Sequence, residues 1–398
     1  MRVLHVIPAV ATRYGGPSTA IVPMCRALAA RGVDATIVAT DADGPGRIQV
    51  PLGEQTSWQG VPAIFFGKTL SEAFKYSSSL ATWLGQHVRD FDIVHVHGVL
   101  SHACLAAGAA CRRQGLPYLV RPLGTLVPWS LQQKPLRKRF LLASGGMRML
   151  RGAAAIHYTS QQERQSVETS LELTGGVVVP LGIDPALVET PLEAAHERYR
   201  DRYVLAMSRL HPKKNLDVLI RTFIDATETR RDGWRLVVAG TGDSVYQASL
   251  RKLVDDRRAH GRVQFVGWIE GESKLQLVRR ASIFVLCSKH ENFGLSVLEA
   301  LAAGVPTLLT RQVDLADDVE SANAGWIVDD VHDSLRRALA AAIDDDQARA
   351  ARGGAARRLA WRFTWPTVAA QLIDVYARLR CHGSEPAAGL LPLGQPLN

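Results

Sequence analysis

Short apolar segments, each followed by a loop of glycine or basic residues and then by a helical pattern, constrain the fold of this chain most strongly. Arg2–Ala9 is predicted as the first strand, and a glycine-containing loop and a helix over about 17–31 follow it. The same order restarts at Tyr203–Ser208, where the basic loop 209–215 precedes a helix over about 216–228. Strands that alternate with helices form parallel sheets. The sequence therefore predicts an α/β protein with two Rossmann-like domains that face across a cleft.

The length of 398 residues also fits two domains better than a single core. We expect an N-terminal domain over 1–185, a charged linker over 186–202 and a C-terminal domain over 203–362. A terminal helix is predicted over 363–380. The segment 381–398, rich in proline, glycine and alanine, is predicted to be disordered.

The formal net charge of +9 indicates an acidic partner. No nucleic-acid-binding module is recognisable, so the expected partners are phosphorylated small molecules and anionic lipids rather than nucleic acid. The segment 132–151 mixes six basic residues with apolar ones. This pattern is typical of helices that lie on an anionic membrane surface, and ordinary solvated helices show it as well.

No apolar run approaches the roughly 18 residues of a membrane-spanning helix. Met1–Val10 also lacks the flanks of a signal peptide, so we expect a cytoplasmic protein. The five cysteines are odd in number and none has C-x-x-C spacing, which indicates reduced thiols and argues against a structural zinc site.

Two carboxylates, Glu291 and Glu299, lie eight residues apart in the segment Ser288–Gly304, which follows a predicted strand and becomes a helix. Unpaired backbone N–H groups over 293–296 would form an anion site at the start of that helix. The order carboxylate, phosphate site, carboxylate matches the order sugar, diphosphate, ribose in a nucleotide sugar. Taken alone, two glutamates at this spacing favour an ordinary strand–turn–helix unit, with Glu291 in a solvated turn and Glu299 on a helix surface, and only the rest of the chain changes that balance.

Loops at the carboxyl ends of other predicted strands supply further candidates, because ligands of such folds collect there. Arg209 and Lys214 are suited to binding a diphosphate. The planar guanidinium of Arg209 can donate two hydrogen bonds to phosphate oxygens, and the ammonium of Lys214 supplies a point charge. Gly240 and Gly242 follow the next strand, and Gly16 lies in the first loop, where a missing side chain lets the backbone approach a ligand.

Two histidines, His95 and His97, alternate with valines on a predicted strand and so point to the same side of the sheet. A metal site would need a third ligand, and none is suggested nearby, so we expect no metal. His97 and Arg121 both lie at the carboxyl ends of strands and are candidates to line a ligand site. An ordinary surface arginine is the alternative for Arg121.

Four motifs resemble those of the family-4 retaining glycosyltransferases, which have the GT-B fold. They are S-R-L-H-P-K-K-N (208–215), A-G-T-G-D (239–243), F-V-G-W (265–268) and E-N-F-G-L-S-V-L-E-A (291–300). The resemblance is specific in the C-terminal half and looser in the N-terminal half. Many relatives carry a histidine after the strand that ends here at Val120, whereas this chain has R-P-L-G-T-L. Similar loops occur in members assigned to bacterial surface polysaccharide assembly.

The resemblance implies that the terminal helix packs on the N-terminal domain. It also implies roles for individual residues. Glu291 would lie beside the donor sugar, Glu299 would bind the ribose hydroxyls, and Arg209 and Lys214 would neutralise the diphosphate leaving group. His97 or Arg121 would replace the missing histidine on the acceptor or sugar side. The remaining donor-binding candidates are Gly16, Gly240, Gly242, Asn292, Phe293, Gly294 and Leu295.

The implied activity is transfer of a hexose, with retention, from a UDP- or GDP-sugar to a saccharide or lipid-linked acceptor in surface or exopolysaccharide synthesis. The departing phosphate oxygen would act as the base, without a cofactor or a metal. Residues 132–151 would hold the protein at the inner face of the cell membrane. The alternatives are a sugar-nucleotide 2-epimerase-like enzyme and a catalytically silent scaffold of the pathway.

Overall fold

The computed structural model describes residues 1–70, 72–190, 202–329 and 333–382. The chain divides into two compact units. The first joins Met1–Gly182 to the C-terminal segment that begins at Trp365, and the second is Ile183–Thr364. The predicted disordered tail from residue 383 onward and most of the predicted linker, 191–201, lie outside the described residues.

The first unit contains an eight-stranded sheet in the order β10-β9-β8-β7-β1-β2-β6-β5 and a small antiparallel β3–β4 ribbon. Among the described strands of the large sheet, only β5 runs antiparallel to its neighbour, β6. The strands are β1 Arg2–Ala9, β2 Asp34–Thr40, β3 Ala42–Asp43, β4 Gly46–Arg47, β5 Gln55–Trp58, β6 Val61–Phe66, β7 Ile93–His97, β8 Tyr118–Arg121, β9 Ala155–Tyr158 and β10 Gly176–Val178.

Helices cover both faces of this sheet, as the continuous apolar runs of its parallel strands require. The helices are α1 Gly16–Ala29, α2 Ser78–His87, α3 His102–Gln114, α4 Pro128–Leu131, α5 Pro135–Leu141, α6 Met147–Arg151, α7 Gln161–Leu171 and, from the chain end, Trp365–His382. Leu4, Val94 and Val120 share one core with α2 and α3. The helix Trp365–His382 packs against α1, which confirms the predicted return of the terminal helix to the N-terminal domain.

The second unit has a fully parallel six-stranded sheet in the order β13-β12-β11-β14-β15-β16. Its strands are β11 Tyr203–Met207, β12 Arg235–Ala239, β13 Val263–Gly267, β14 Ile283–Leu286, β15 Thr307–Thr310 and β16 Gly325–Val328. Its helices are α8 Pro185–Glu189, α9 Leu216–Ala226, α10 Ser244–Asp256, α11 Gly271–Arg279, α12 Leu295–Ala302, α13 Ala316–Ser321, α14 Asp333–Asp344 and α15 Asp346–Ala360. The terminal helix Trp365–His382 is α16.

The start of the predicted linker is helical in the structure. Asp184 accepts a hydrogen bond from the Ala186 amide at 3.0 Å, and Pro185 occupies the first turn of α8. An acidic N-cap followed by proline is a helix-start signal that the charge pattern of the segment obscured. No helix among the described residues is both long enough and apolar enough to cross a membrane.

Candidate active site

The topology of the second unit brings the two strongest sequence motifs together. Strands β11 and β14 are parallel neighbours, and the chain winds away from them in opposite directions. Loops that follow two such strands form the ligand-binding crevice of doubly wound sheets. The loop after β11 carries Arg209 and Lys214, and the loop after β14 carries Glu291.

Backbone and side-chain hydrogen bonds join these two loops. The Lys289 amide donates to the Lys213 carbonyl at 2.8 Å, and the Asn215 side chain donates to the Cys287 carbonyl at 3.0 Å. The basic loop and the predicted sugar-binding loop are therefore one structural unit.

Lys214 and Glu291 form an ion pair at the centre of this unit. Lys214 is only 7% exposed, and the Glu291 side chain is 17% exposed. The Glu291 backbone is fixed from both sides, because its amide donates to the Gln312 carbonyl at 3.0 Å and its carbonyl accepts from the Asp314 amide at 3.1 Å. The position of the carboxylate therefore does not depend on the ion pair alone.

A cluster of cations surrounds the pair. Burial lowers the pKa of Lys213, the nearby charges of Lys214 and Arg209 lower it further, and Glu291 opposes the shift. The pKa of His211 is lowered by burial and then by the charges of Lys213, Arg209 and Lys214. Cations held this close together favour a polyanionic ligand such as a diphosphate.

Helix α12 begins beside the cation cluster. Gly294 precedes its first residue, Leu295, with a φ of +83°, a conformation that glycine adopts without steric cost. The first intrahelical bond is donated by Val297, so the amides before it point beyond the start of the helix.

The turn before α12 is anchored by packing. Phe293 is 3% exposed and packs edge-on against Phe363, with 6.0 Å between the ring centroids. Asn292, next to Glu291, is half-buried.

Glu299 lies one turn into α12 and is ion-paired with Lys274 of α11 at 2.6 Å. Lys274 was not among the residues selected from the sequence. It lies in a polar helix with no motif, and its partner is 25 residues away along the chain. Only the packing of α11 against α12 reveals the pair.

The glycines after β12 hold the Arg209 loop in place. A Cβ atom on Gly240 would lie 2.0 Å from the Ser208 carbonyl oxygen, and one on Gly242 would lie 1.9 Å from that of Leu210. The Leu210 amide also donates to the Thr241 carbonyl at 2.9 Å. These glycines therefore permit a close backbone contact that positions the loop carrying Arg209, whose side chain is exposed.

In the first unit, Gly16 is the first residue of α1 and follows Gly15, whose φ is +86°. Tyr14 fixes this loop, because its hydroxyl donates to Glu72 at 2.5 Å and accepts from the Gly44 amide at 2.6 Å. Burial and the bond to Glu72 raise the pKa of Tyr14 to about 12. The loop follows β1, whose neighbours β2 and β7 again place a reversal of strand order at this point.

His97 and Arg121 are register partners at the ends of β7 and β8, and each is only 1% exposed. Burial lowers the pKa of Arg121 to about 10, and the charge of Glu163 opposes this shift. Among the described residues, none forms a hydrogen bond with the guanidinium nitrogens Nε and Nη2 of Arg121. Both residues therefore lie at the ends of their strands, as expected, but their side chains are buried rather than exposed to an open site. Their role on the acceptor side stays a prediction.

Four buried histidines from strands β1, β7 and β9 form a connected group, which we call the histidine cluster: His5, His95, His97 and His157. Nitrogens of His5 and His97 are 3.1 Å apart, as are those of His95 and His157. Tyr376 of α16 lies 2.7 Å from His95 Nδ1. The cluster thus joins the sheet to the terminal helix.

The histidine cluster contains the third potential metal ligand that the sequence did not suggest. Ring nitrogens of His5, His95 and His97 lie within 4.8 Å of one another. Sequence spacing could not show this, because His5 is about 90 residues away from the other two and meets them only through the pairing of β1 with β7. Burial lowers the pKa of all three, and the nearby charge of Arg121 lowers it further. The same charge opposes a metal cation, so the prediction of a metal-free protein is kept.

Comparison with known proteins assigns a family to both halves of the chain. Residues 15–182 match the glycosyl transferase 4-like domain, and residues 191–359 match the glycosyl transferases group 1. Together these two matches span most of both structural units.

Similar proteins match over nearly the whole length. D-inositol 3-phosphate glycosyltransferase of Jonesia denitrificans is 26% identical, with 93% of this chain and 92% of the relative aligned. GDP-mannose:cellobiosyl-diphosphopolyprenol alpha-mannosyltransferase of Xanthomonas campestris is 25% identical over 94% of this chain and 96% of its own. The crystal structure of Anabaena HepE in complex with UDP and glucose shares the fold with a TM-score of 0.72 at 18% identity, covering 95% of this chain and 100% of HepE. This chain is therefore a member of the family-4 glycosyltransferases, an enzyme of the transferase class with the GT-B fold.

Proposed function

We propose that this glycosyltransferase moves a hexose from a UDP- or GDP-sugar to a saccharide or lipid-linked acceptor, with retention, in the synthesis of a bacterial surface or exopolysaccharide. The observation that carries the proposal is the Lys214–Glu291 pair, set among cations at the point where strand order reverses and beside the start of α12. This arrangement suits a ligand that has a diphosphate next to a sugar.

The comparisons support both substrates at the level of class. HepE was crystallised with UDP and glucose, and the Xanthomonas relative is named for a GDP-mannose donor and a diphosphopolyprenol-linked acceptor. Family membership favours transfer over the epimerase and scaffold alternatives.

The mechanism that we propose follows from where charge develops. Breaking the bond between sugar and phosphate builds negative charge on the diphosphate, and Arg209, Lys214 and the amides at the start of α12 stabilise it there. These cations take the role that a metal has in other transferases, and no cofactor is needed. Because Glu291 is engaged by Lys214, we assign it to holding the donor sugar rather than to nucleophilic attack. The departing phosphate oxygen accepts the proton of the acceptor hydroxyl, which attacks from the same face.

Stereochemistry tests this proposal directly. The enzyme would be incubated with UDP- and GDP-hexoses and with polyprenyl-diphosphate-linked saccharides, and the anomeric configuration of the product would be determined by NMR coupling constants. An α-linked product from an α-linked donor is expected, and Glu291→Gln should reduce its formation strongly. A β-linked product, or unchanged transfer by Glu291→Gln, contradicts the proposed mechanism.

We also propose that α5 holds the enzyme at the anionic inner face of the cell membrane. Leu136 and Phe140 are one helical turn apart and are 82% and 70% exposed. Exposed Arg137 and Arg139 belong to the same helix, and Lys134 immediately precedes it. Apolar residues flanked by cations are suited to the interface of anionic lipids.

Sedimentation with vesicles of phosphatidylglycerol and phosphatidylcholine tests the membrane contact. The double variant Leu136→Glu/Phe140→Glu should remain in the supernatant, whereas the matched control Leu70→Glu, at a residue that is 68% exposed, should sediment like the unmodified protein. Equal sedimentation of the double variant and the control contradicts the assignment of α5.

A further inference from the structure

A cavity of about 760 Å³ in the second unit is separate from the residues assigned to the donor. It surrounds the N-terminal end of α9 and is bounded by α10 and by the loops after β14, β15 and β16. Neither Arg209 nor Lys214 lines it, and neither do Glu291 and Glu299. Its volume lies in the range of small-molecule sites. We call it the α9 pocket.

The α9 pocket and helix α12 belong to opposite layers of the second unit. Helices α9, α10 and α14 share one core on the sheet, whereas α12 packs against α15. Right-handed crossovers that run in opposite directions from β11 and β14 place their helices on opposite faces. The donor site and the α9 pocket thus use opposite sides of the same two loops.

The carboxylates of the α9 pocket already have partners. Asp217 accepts a hydrogen bond from the Tyr246 hydroxyl at 3.3 Å. Asp329 is ion-paired with Arg311 at 2.9 Å. These acidic groups are therefore poor candidates to bind a cationic ligand.

The two cations of the pocket, Arg221 and Lys289, are exposed and have no ion pair within the described part of the chain. Ser249 and Gln312 add hydrogen-bonding groups to the same lining, whereas the Ser288 hydroxyl is buried and donates to Glu291 at 3.5 Å. Two available cations suit a phosphate, and the hydroxyl and amide groups beside them suit sugar hydroxyls.

We propose that the α9 pocket is a second ligand site, one that binds a phosphorylated sugar. This site is additional to the donor and acceptor sites of the proposed function. The occupant would contact Lys289, whose amide is hydrogen-bonded to the carbonyl of Lys213, the residue before Lys214. The site therefore adjoins the loops that carry Lys214 and Glu291.

Calorimetric titration of the full chain with glucose 1-phosphate and glucose 6-phosphate tests the site, with glucose as the uncharged control. At least one phosphate should bind and glucose should not. The double variant Arg221→Gln/Lys289→Gln should weaken binding by about tenfold or more, as expected for the loss of charge-assisted contacts. The surface control Arg231→Gln and the donor-site variant Arg209→Gln should bind like the unmodified protein.

A second variant separates loss of the pocket from loss of the fold. Ser249 lines the pocket from an exposed position of helix α10, so Ser249→Trp fills the pocket with a large ring. This variant should no longer bind the sugar phosphate, and its melting temperature should be unchanged. The proposal is overturned if the unmodified protein binds neither phosphate. It is also overturned if Arg209→Gln abolishes binding while the double variant retains it, because the donor site would then be the binding site.

Discussion

At the scale of single residues, the Lys214–Glu291 pair is the most constrained feature of the site. Both side chains are largely buried, and the loops that carry them are joined through the Lys289–Lys213 backbone bond. A buried ion pair contributes little net stability, but removing one partner leaves the other charge uncompensated. The pair is therefore better explained by its use in binding than by its contribution to folding.

Glu291→Ala should lower both activity and stability. We expect the loss of one partner to reduce the free energy of unfolding by about 3 kcal/mol and transfer by about 100-fold or more. Urea unfolding and a radiolabelled transfer assay measure the two effects. Lys214→Met/Glu291→Leu, which removes both charges, should recover most of the stability and remain inactive. Equal instability of the single and double variants contradicts the assignment of a paired, buried charge.

Gly242 tests the positioning of Arg209 by backbone contact. Gly242→Ala places a Cβ atom 1.9 Å from the Leu210 carbonyl oxygen, so the loop that carries Arg209 must move. We expect a rise of about tenfold or more in the KM for the donor, since a displaced loop weakens a charge-assisted contact. The matched control is Gly261→Ala, where a Cβ atom meets nothing within 4 Å. Unchanged donor KM in Gly242→Ala contradicts this role.

At the scale of elements, α16 is held to the first sheet over a polar surface. The face that it covers carries the histidine cluster and Arg121, and Tyr376 reaches His95 directly. Burial lowers the pKa of His5 and of His157 to about 3 and lowers the pKa values of His95 and His97 well below 6.5. The folded protein therefore holds these imidazoles neutral in weakly acidic solution.

The histidine cluster predicts acid sensitivity of folding. Above about pH 6.5, the pKa of histidine in the unfolded chain, the histidines are neutral in both the folded and the unfolded protein. The free energy of unfolding is then at its full value. Below that pH the unfolded chain binds protons that the folded chain does not, and stability falls as pH decreases toward 3. Each histidine contributes about 1.4 kcal/mol per pH unit in this range.

Urea unfolding at pH 8, 7, 6 and 5 measures this slope. His5→Phe should make the slope shallower, because the protonation of His5 no longer contributes to it. A slope that is the same in His5→Phe and in the unmodified protein contradicts the role of the cluster.

Elements with a strong local pattern were predictable and those that depend on distant partners were not. Arg2–Ala9 was predicted with its observed bounds, because a buried parallel strand is a continuous apolar run. Strand β16 and helices α14 and α15 were not predicted, although Leu335, Leu339, Ala342 and Ile343 of α14 recur at helical spacing. Lys274 and His5 could not be selected as partners, because their contacts arise from packing and strand pairing between distant segments.

At the scale of the whole molecule, the same topological device occurs in both units. In each sheet the first strand lies between two parallel neighbours, and the chain adds further strands on both sides of it. A loop with glycine or basic residues follows that first strand. In the first unit the loop contains Gly15 and Gly16, and in the second it contains Arg209 and Lys214. The order of strands, rather than nearness in sequence, assembles the candidate donor site from segments about 80 residues apart.

The central claim is that the diphosphate of the donor is bound by the basic loop after β11. Calorimetry with UDP and UMP, and with GDP and GMP, tests it most directly in the unmodified protein and in Arg209→Gln. The account predicts that one diphosphate binds at least about tenfold more tightly than its monophosphate, and that Arg209→Gln removes most of this difference. Equal affinity for diphosphate and monophosphate, or a difference that Arg209→Gln leaves intact, would contradict it.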